Sequence, residues 1–206
     1  MLFIFDMGGV VTNSAAIEKT ISKILGIPES DFFKYCGCRS AIENDKTITY
    51  SSDLFSLLSD GVITTRQFWS EFSVRSGKSI AADYWRLLFH PNRNERVYEI
   101  IKRLRLHNRV VCGTNTIESH YDNHMSRGDY SVFDQVYASH QLGVSKPDPR
   151  FWKLILLAEE ATSSETFFID DRKDNCDAAA ALGIHVHQFV STEDLEHTLD
   201  TMGAFV

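Results

Sequence analysis

The stretch LFIFDMGGVV, residues 2–11, decides how the rest of the chain is read. Leu2–Phe5 is a short, wholly apolar run, and it ends abruptly on Asp6 and the turn-forming Met7-Gly8-Gly9. Four later runs share the apolar, strand-like character: Arg109–Cys112 (RVVC), Gln135–Ala138 (QVYA), Thr166–Ile169 (TFFI) and His185–Phe189 (HVHQF). Amphipathic helices are expected between them. Glu95–Leu106 sets Val97, Ile100, Ile101 and Leu104 on one face at a 3.6-residue period. Phe151–Ala158 and Asp174–Leu182 each read as a helix, the second stopped by Gly183, and Thr192 reads as the N-cap of a last helix carrying Leu195 and Leu199. Apolar strands alternating with helices predict an α/β fold, a parallel sheet with helices on both faces.

Residues 15–90 read differently, with no strand pattern and no internal repeat. Ile17, Ile21, Ile24 and Leu25 mark a helix closed by Gly26 and Pro28, and further helices fit Leu54–Leu58, Thr65–Ser73 and Ala81–Phe89. The stripe Phe68, Trp69, Phe72 reads as core packing, the usual use of large aromatics. A helical insert therefore interrupts the α/β core after the first strand, and Pro91 marks the return. The expected division is 1–14 with 91–206 as core, and 15–90 as insert.

Composition narrows the function classes. The chain has 206 residues, 43% apolar and 24% charged, as expected for a soluble globular domain able to bury a real core. It carries 21 basic against 28 acidic residues, a net charge of −7, which argues against nucleic acid as a partner. No apolar run approaches the ~20 residues of a membrane span. The start lacks a positive n-region and Asp6 interrupts its apolar run, so no signal peptide is expected and a cytoplasmic location is. Cys36 and Cys38 flank one Gly, neither a redox CxxC nor half of a zinc pattern; with Cys112 and Cys176 they read as reduced cytosolic thiols. Oligomeric state leaves no sequence signal.

Ligands of open parallel sheets bind beyond the carboxyl ends of the strands. There this sequence sets Asp6, then Gly113 followed by Thr114 and Asn115, then Lys146-Pro147-Asp148, and finally Asp170-Asp171. Singly, each has a structural reading: an Asp after a strand caps a turn, Thr114 and Asn115 cap a helix, Lys146 sits on the surface. Asp170-Asp171 is harder to explain so, because adjacent carboxylates at a buried strand end repel unless a cation or donors neutralise them. His120 and His124, at i and i+4, lack a HExxH context and read as packing, as do His185 and His187. Lys146-Pro147 is a candidate cis bond.

With FDMGGV at 5–10, GTNT at 113–116, GVSKPDPRFW at 143–152 and FIDDRKDN at 168–175, the chain resembles the haloacid dehalogenase (HAD) superfamily of hydrolases over nearly its whole length. The resemblance implies a Rossmann-like core with an inserted C1-type cap, and within the superfamily it is nearest to the sugar-phosphate phosphatases and epoxide-hydrolase N-terminal domains. It implies Asp6 as a nucleophile that forms an aspartyl-phosphate, and Mg²⁺ held by Asp6, the Gly8 carbonyl and Asp171, with Asp170 in or behind the coordination. Lys146 would neutralise Asp6 and the phosphoryl oxygens, and Thr114 with backbone N–H groups near Asn115 would bind the phosphoryl group. The expected partner is a small phosphorylated metabolite. Residues 15–90 balance nine basic against nine acidic residues, so the whole −7 belongs to the core. Mg²⁺ and Lys146 would offset Asp6, Asp170 and Asp171.

Gly8 departs from the family pattern, which places a second Asp there to protonate the leaving group and then activate water. Such an acid–base contributes about 10²–10⁴-fold. The departure leaves open a slow enzyme or one restricted to good leaving groups such as acyl phosphates, a proton from a neighbouring or cap group such as His90, or a protein that binds a phosphorylated ligand without turnover. It also admits a haloacid dehalogenase, which needs no metal, or a phosphonatase, which uses a cap lysine; Lys19, Lys23, Lys34, Lys46 and Lys78 are the cap lysines. The Asp170-Asp171 pair weighs against the metal-free chemistry.

Overall fold

A computed structural model describes residues 1–38 and 53–205. Five strands, β1 (Leu2–Phe5), β4 (Arg109–Thr114), β5 (Gln135–Ala138), β6 (Thr166–Asp170) and β7 (His185–Gln188), form one sheet in the order β5-β4-β1-β6-β7. Every pairing in it is parallel, and β1 lies at the centre, with Phe5 level with Cys112 on one side and Ile169 on the other. The apolar runs thus fall where an all-parallel sheet buries them, between two layers of helices.

Alternate residues serve opposite layers. Phe3, Phe5, Val110, Cys112, Phe167 and Ile169 face helices 95–104 and 192–201 through Val97, Ile101, Leu195 and Leu199. Leu2, Ile4, Val111 and Phe168 face helices 149–158 and 173–180 through Phe151, Trp152, Ile155 and Ala179. Gly113 makes this second packing possible, because a Cβ there would stand 2.8 Å from Ile4 Cγ2.

The chain leaves and re-enters the sheet side by side. Two short strands, β2 (Thr12–Asn13) and β3 (Asn92–Arg93), pair antiparallel and clamp the two crossings together. Between them the described residues are helical: 18–25, 29–36, 54–59, 65–76 and 84–88. The aromatic stripe is core, as expected. Phe32, Phe68, Phe72 and Trp85 are all but fully buried; Phe32 and Phe68 meet Trp85 edge-on, Phe32 and Phe72 are tilted, and Phe68 stacks near-parallel to Phe72, with Ile117 joining their cluster. Each such side chain contributes about 1.5–3 kcal/mol of burial.

Several sequence expectations are corrected. Helix 29–36 was not foreseen; Pro28, read as the stop of the previous helix, stands at its N-cap position. The last helix is capped by Ser191, whose hydroxyl accepts from the Asp194 N–H, and Thr192 is its first residue. Thr114 ends β4 and caps no helix; the next one starts at Glu118. The Lys146–Pro147 bond, by contrast, is cis, the form considered from the sequence. Among the described residues, no helix is long and apolar enough to cross a membrane.

Candidate active site

The centre of the site is built on the ends of adjacent strands. Asp6 follows β1, its N–H bonded to the Ile169 carbonyl, so its side chain emerges beside the end of β6. Lys146 reaches in from the loop after helix 139–142 and is 4% exposed. Its ammonium is 2.9 Å from Asp6 Oδ1 and 2.7 Å from Asp170 Oδ2, and it donates to the Gly113 carbonyl at 2.8 Å. Asn115 fixes the Lys146 backbone: its Nδ2 donates to the Lys146 carbonyl and its Oδ1 accepts from the Lys146 N–H, both at 2.8 Å.

Asp170 is fully buried and saturated with donors. Besides Lys146, it accepts from the Arg172 N–H at 2.9 Å and from Asn175 Nδ2 at 3.0 and 3.1 Å. Asn175 is thus a site residue whose role the sequence did not disclose, although it closes the FIDDRKDN stretch. Asp171 is exposed, and Gly9 makes room for it. Gly9 has φ +78°, and a Cβ there would fall 2.5 Å from Asp171 Oδ2, so only glycine serves both the turn and the carboxylate.

The electrostatics are strained in a particular direction. Burial pushes Asp6 up to about 6, and the Asp170 charge adds to this while Lys146 opposes it. Asp171, although exposed, is also raised, by partial desolvation beside the site and then by the Asp170 charge. Burial works against the Lys146 ammonium, yet Asp6 and Asp170 hold its pKa above the ordinary lysine value. One ammonium therefore faces three carboxylates whose oxygens lie within 4.8 Å of one another. An all-oxygen donor set with surplus negative charge fits a hard divalent cation.

Two cavities adjoin this centre and share Glu18, Asn115, Thr116 and His120. One, of about 350 Å³, is lined by Met7, Gly8, Thr12, Thr114 and Phe89 among others. The second, of about 620 Å³, lies between insert and core against Phe55, Ser56, Trp85, Lys146 and Arg172. The structure thus brings Asp6, Lys146, Asp170 and Asp171 together, with Gly8, Thr114 and Asn115 on the adjoining wall. His90 is exposed and lines neither cavity; nor do Lys19, Lys23, Lys34 or Lys78, while Lys46 lies outside the described residues. His124 packs as expected, buried with Nδ1 2.9 Å from Asp129. A larger hollow of about 670 Å³ beside Trp69 and Val74 is remote from this chemistry and belongs to the insert alone.

The chain is thus of the α/β class, an all-parallel five-stranded sheet with Asp6, Asp170, Asp171 and the buried Lys146 gathered at its carboxyl edge. The chain belongs to the haloacid dehalogenase-like hydrolase family, whose profile matches residues 1–183. It is 34% identical over 67 residues to a sesquiterpene phosphatase of Aspergillus oryzae (32% of this chain, 31% of that protein). It is 35% identical over 88 residues to acyl-CoA dehydrogenase family member 10 of Mus musculus (40% of this chain, 8% of that protein). The matches thus span under a third of each of these relatives. Among solved structures, a HAD family enzyme of Bacteroides thetaiotaomicron in complex with magnesium and inorganic phosphate has the same fold, with a TM-score of 0.74 at 22% identity over 96% of this chain and 98% of that one.

Proposed function

We propose that the protein is a Mg²⁺-dependent hydrolase of small phosphomonoesters that works through an aspartyl-phosphate on Asp6. The observation that carries this reading is the contact of Asp6 with a buried lysine inside a surplus of carboxylates. Residues 15–90 act as its cap. Asp6, the Gly8 carbonyl and Asp171 would hold Mg²⁺, which supplies positive charge for the phosphoryl oxygens. Asp170, already engaged by Lys146, Asn175 and Arg172, acts through Lys146 by holding the ammonium against Asp6. Thr114 and the N–H groups near Asn115 bind the phosphoryl group. Lys146 lowers the repulsion between the Asp6 carboxylate and the incoming anion, the electrostatic preorganisation on which phosphoryl transfer depends. A sugar-phosphate-like ester suits the larger cavity, where Glu18, Ser56, Ser59 and Asp60 offer polar groups beside Phe55 and Trp85. The phosphatase among the relatives supports the reaction class.

The test is a panel of phosphorylated metabolites with and without Mg²⁺. Metal-dependent release of phosphate supports the reading. Tight binding of a phosphorylated ligand with no turnover would favour a binding protein, and halide release from a haloacid without metal would favour a dehalogenase.

Two expected results follow from the site. Mg²⁺ must displace the proton that burial favours on Asp6. The folded pKa, about 6, lies above the ordinary 3.8, so the proton stabilises the metal-free fold at low pH. That contribution is complete below pH 4 and lost as pH rises through 6. Mg²⁺ affinity should rise over the same interval and level off above it. Melting curves at pH 5 and 7.5 with a Mg²⁺ titration check this; equal affinity at both would contradict it.

Gly8 offers a second result. Its backbone lies outside the left-handed region, and a Cβ there meets no atom within 4 Å, so the Cβ of Gly8→Asp is placed without backbone strain or clash. We expect a folded protein whose turnover of alkyl phosphates changes less than about 10-fold, well short of the 10²–10⁴ that a missing acid–base would return. A change that small would mean that another group beside Gly8 carries the proton; a 10²–10⁴-fold gain would mean that none does.

A further inference from the structure

Helix 118–127 directs His120 toward the cavity that Gly8 lines, and the same residue lines the larger cavity beside Lys146. Its ring is held firmly. It stacks on Phe89 with centroids 3.8 Å apart and planes 11° from parallel, and Trp85 meets it edge-on. Yet its Nε2, buried from solvent, has no hydrogen-bond partner among the described residues. A buried polar atom left unpaired destabilises a fold, and a ligand, a bound water or a catalytic role accounts for such atoms. Of the nine buried unpaired side-chain atoms among the described residues, His120 Nε2 alone belongs to a residue that lines both cavities. His124, one turn on, is already engaged with Asp129 and is no equivalent candidate.

We propose that His120 is the catalytic residue that fills the proton-handling role Gly8 leaves empty. This rests on the phosphomonoesterase reading. In the first step an Asp6 oxygen bonds to phosphorus, the bond to the leaving oxygen breaks with its electron pair on that oxygen, and His120 Nε2 gives it a proton. In the second, neutral His120 takes a proton from water as the water oxygen bonds to phosphorus and the Asp6–phosphorus bond breaks. The imidazolium is thereby restored. Before substrate arrives, burial and then His124 hold the imidazole below its ordinary value, down to about 4, against the opposing pull of Asp83 and a backbone hydrogen bond at Trp85. The first turnover therefore starts with one proton carried in with the anionic ester and its water as they enter the cavity. Glu18, Asp60, Lys146 and Arg172 are the other charged groups on the walls of the larger cavity.

The experiment compares the intact protein with Mg²⁺ against His120→Gln, Glu18→Gln, Gly8→Asp and the double variant Gly8→Asp with His120→Gln. Two esters are used: an alkyl phosphate, whose alkoxide needs a proton to leave, and nitrophenyl phosphate, whose anion leaves unaided. His120→Gln should lower kcat/KM for the alkyl ester about 100-fold and for the aryl ester under about 5-fold. Adding Gly8→Asp to it should return at least about 10-fold on the alkyl ester, a rescue that a packing role would not allow. Should His120→Gln fail to fold by near-ultraviolet circular dichroism, His120→Asn carries the same comparison. Equal losses on both esters, absence of rescue, or the leaving-group signature in Glu18→Gln instead would overturn the assignment. A wild-type protein that hydrolyses neither ester, nor any ester of the panel, would overturn the phosphomonoesterase reading and this assignment with it.

Discussion

Asp6→Asn should abolish phosphate release, by on the order of 10⁴-fold or more, while leaving the protein folded. The amide keeps the size of the carboxylate but is not nucleophilic, and it contributes no charge to a cation. Stability should hold or rise slightly. Asp6 is 8% exposed, and burial already disfavours its charged form, so removing the charge relieves a cost. The combination is diagnostic. A structural Asp6 would lose stability with activity, whereas a nucleophile loses activity alone. Phosphate release and thermal melting on one preparation check both halves, and retained hydrolysis of a generic aryl phosphate would refute the role.

Lys146→Met should cost both activity and fold. Methionine matches the length of the stem but leaves Asp6 and the fully buried Asp170 facing each other without the ammonium 2.9 and 2.7 Å away. Removing one partner of a buried ion pair costs about 3–5 kcal/mol, which for a chain of this size lowers the melting temperature by about 10 °C. The loss should shrink at pH 5. There Asp6 takes up a proton more readily, because losing Lys146 removes the main opposition to the burial that raises its pKa and leaves only the Met7 backbone hydrogen bond. Melting at pH 5 and 7.5 reads this directly, and a pH-independent loss would contradict it. Turnover should be lost at both pH values, since the phosphoryl oxygens lose their fixed cation.

Much of this was legible from the chain. The central strands β1, β4 and β6 were visible because burial on both faces demands nearly uninterrupted apolar runs, while the more exposed edge strands β5 and β7 left shorter ones; the strand ends and the loop after helix 139–142 named Asp6, Thr114, the Asp170-Asp171 pair and Lys146. What escaped depends on contacts between distant residues. Helix 29–36 buries chiefly Phe32 and Cys36, too few apolar positions to show a period, and Pro28 reads equally as a stop or a start. The β2–β3 clamp joins two-residue strands 79 positions apart in register, below any local signal. Asn175 matters only because its helix begins under Asp170. His120 looked like packing, and it does pack, on Phe89; its orphaned Nε2 exists only in three dimensions.

The central claim is that Asp6 carries the phosphoryl group in the course of turnover. Rapid acid quench of the protein with Mg²⁺ and a substrate from the panel, followed by peptide mass analysis, tests it most directly. The predicted result is one added phosphoryl group on the peptide containing Asp6, present during turnover, gone once the substrate is consumed, and missing from Asp6→Asn. Phosphate release with no adduct at any quench time, or with the phosphoryl group on another residue, would contradict it.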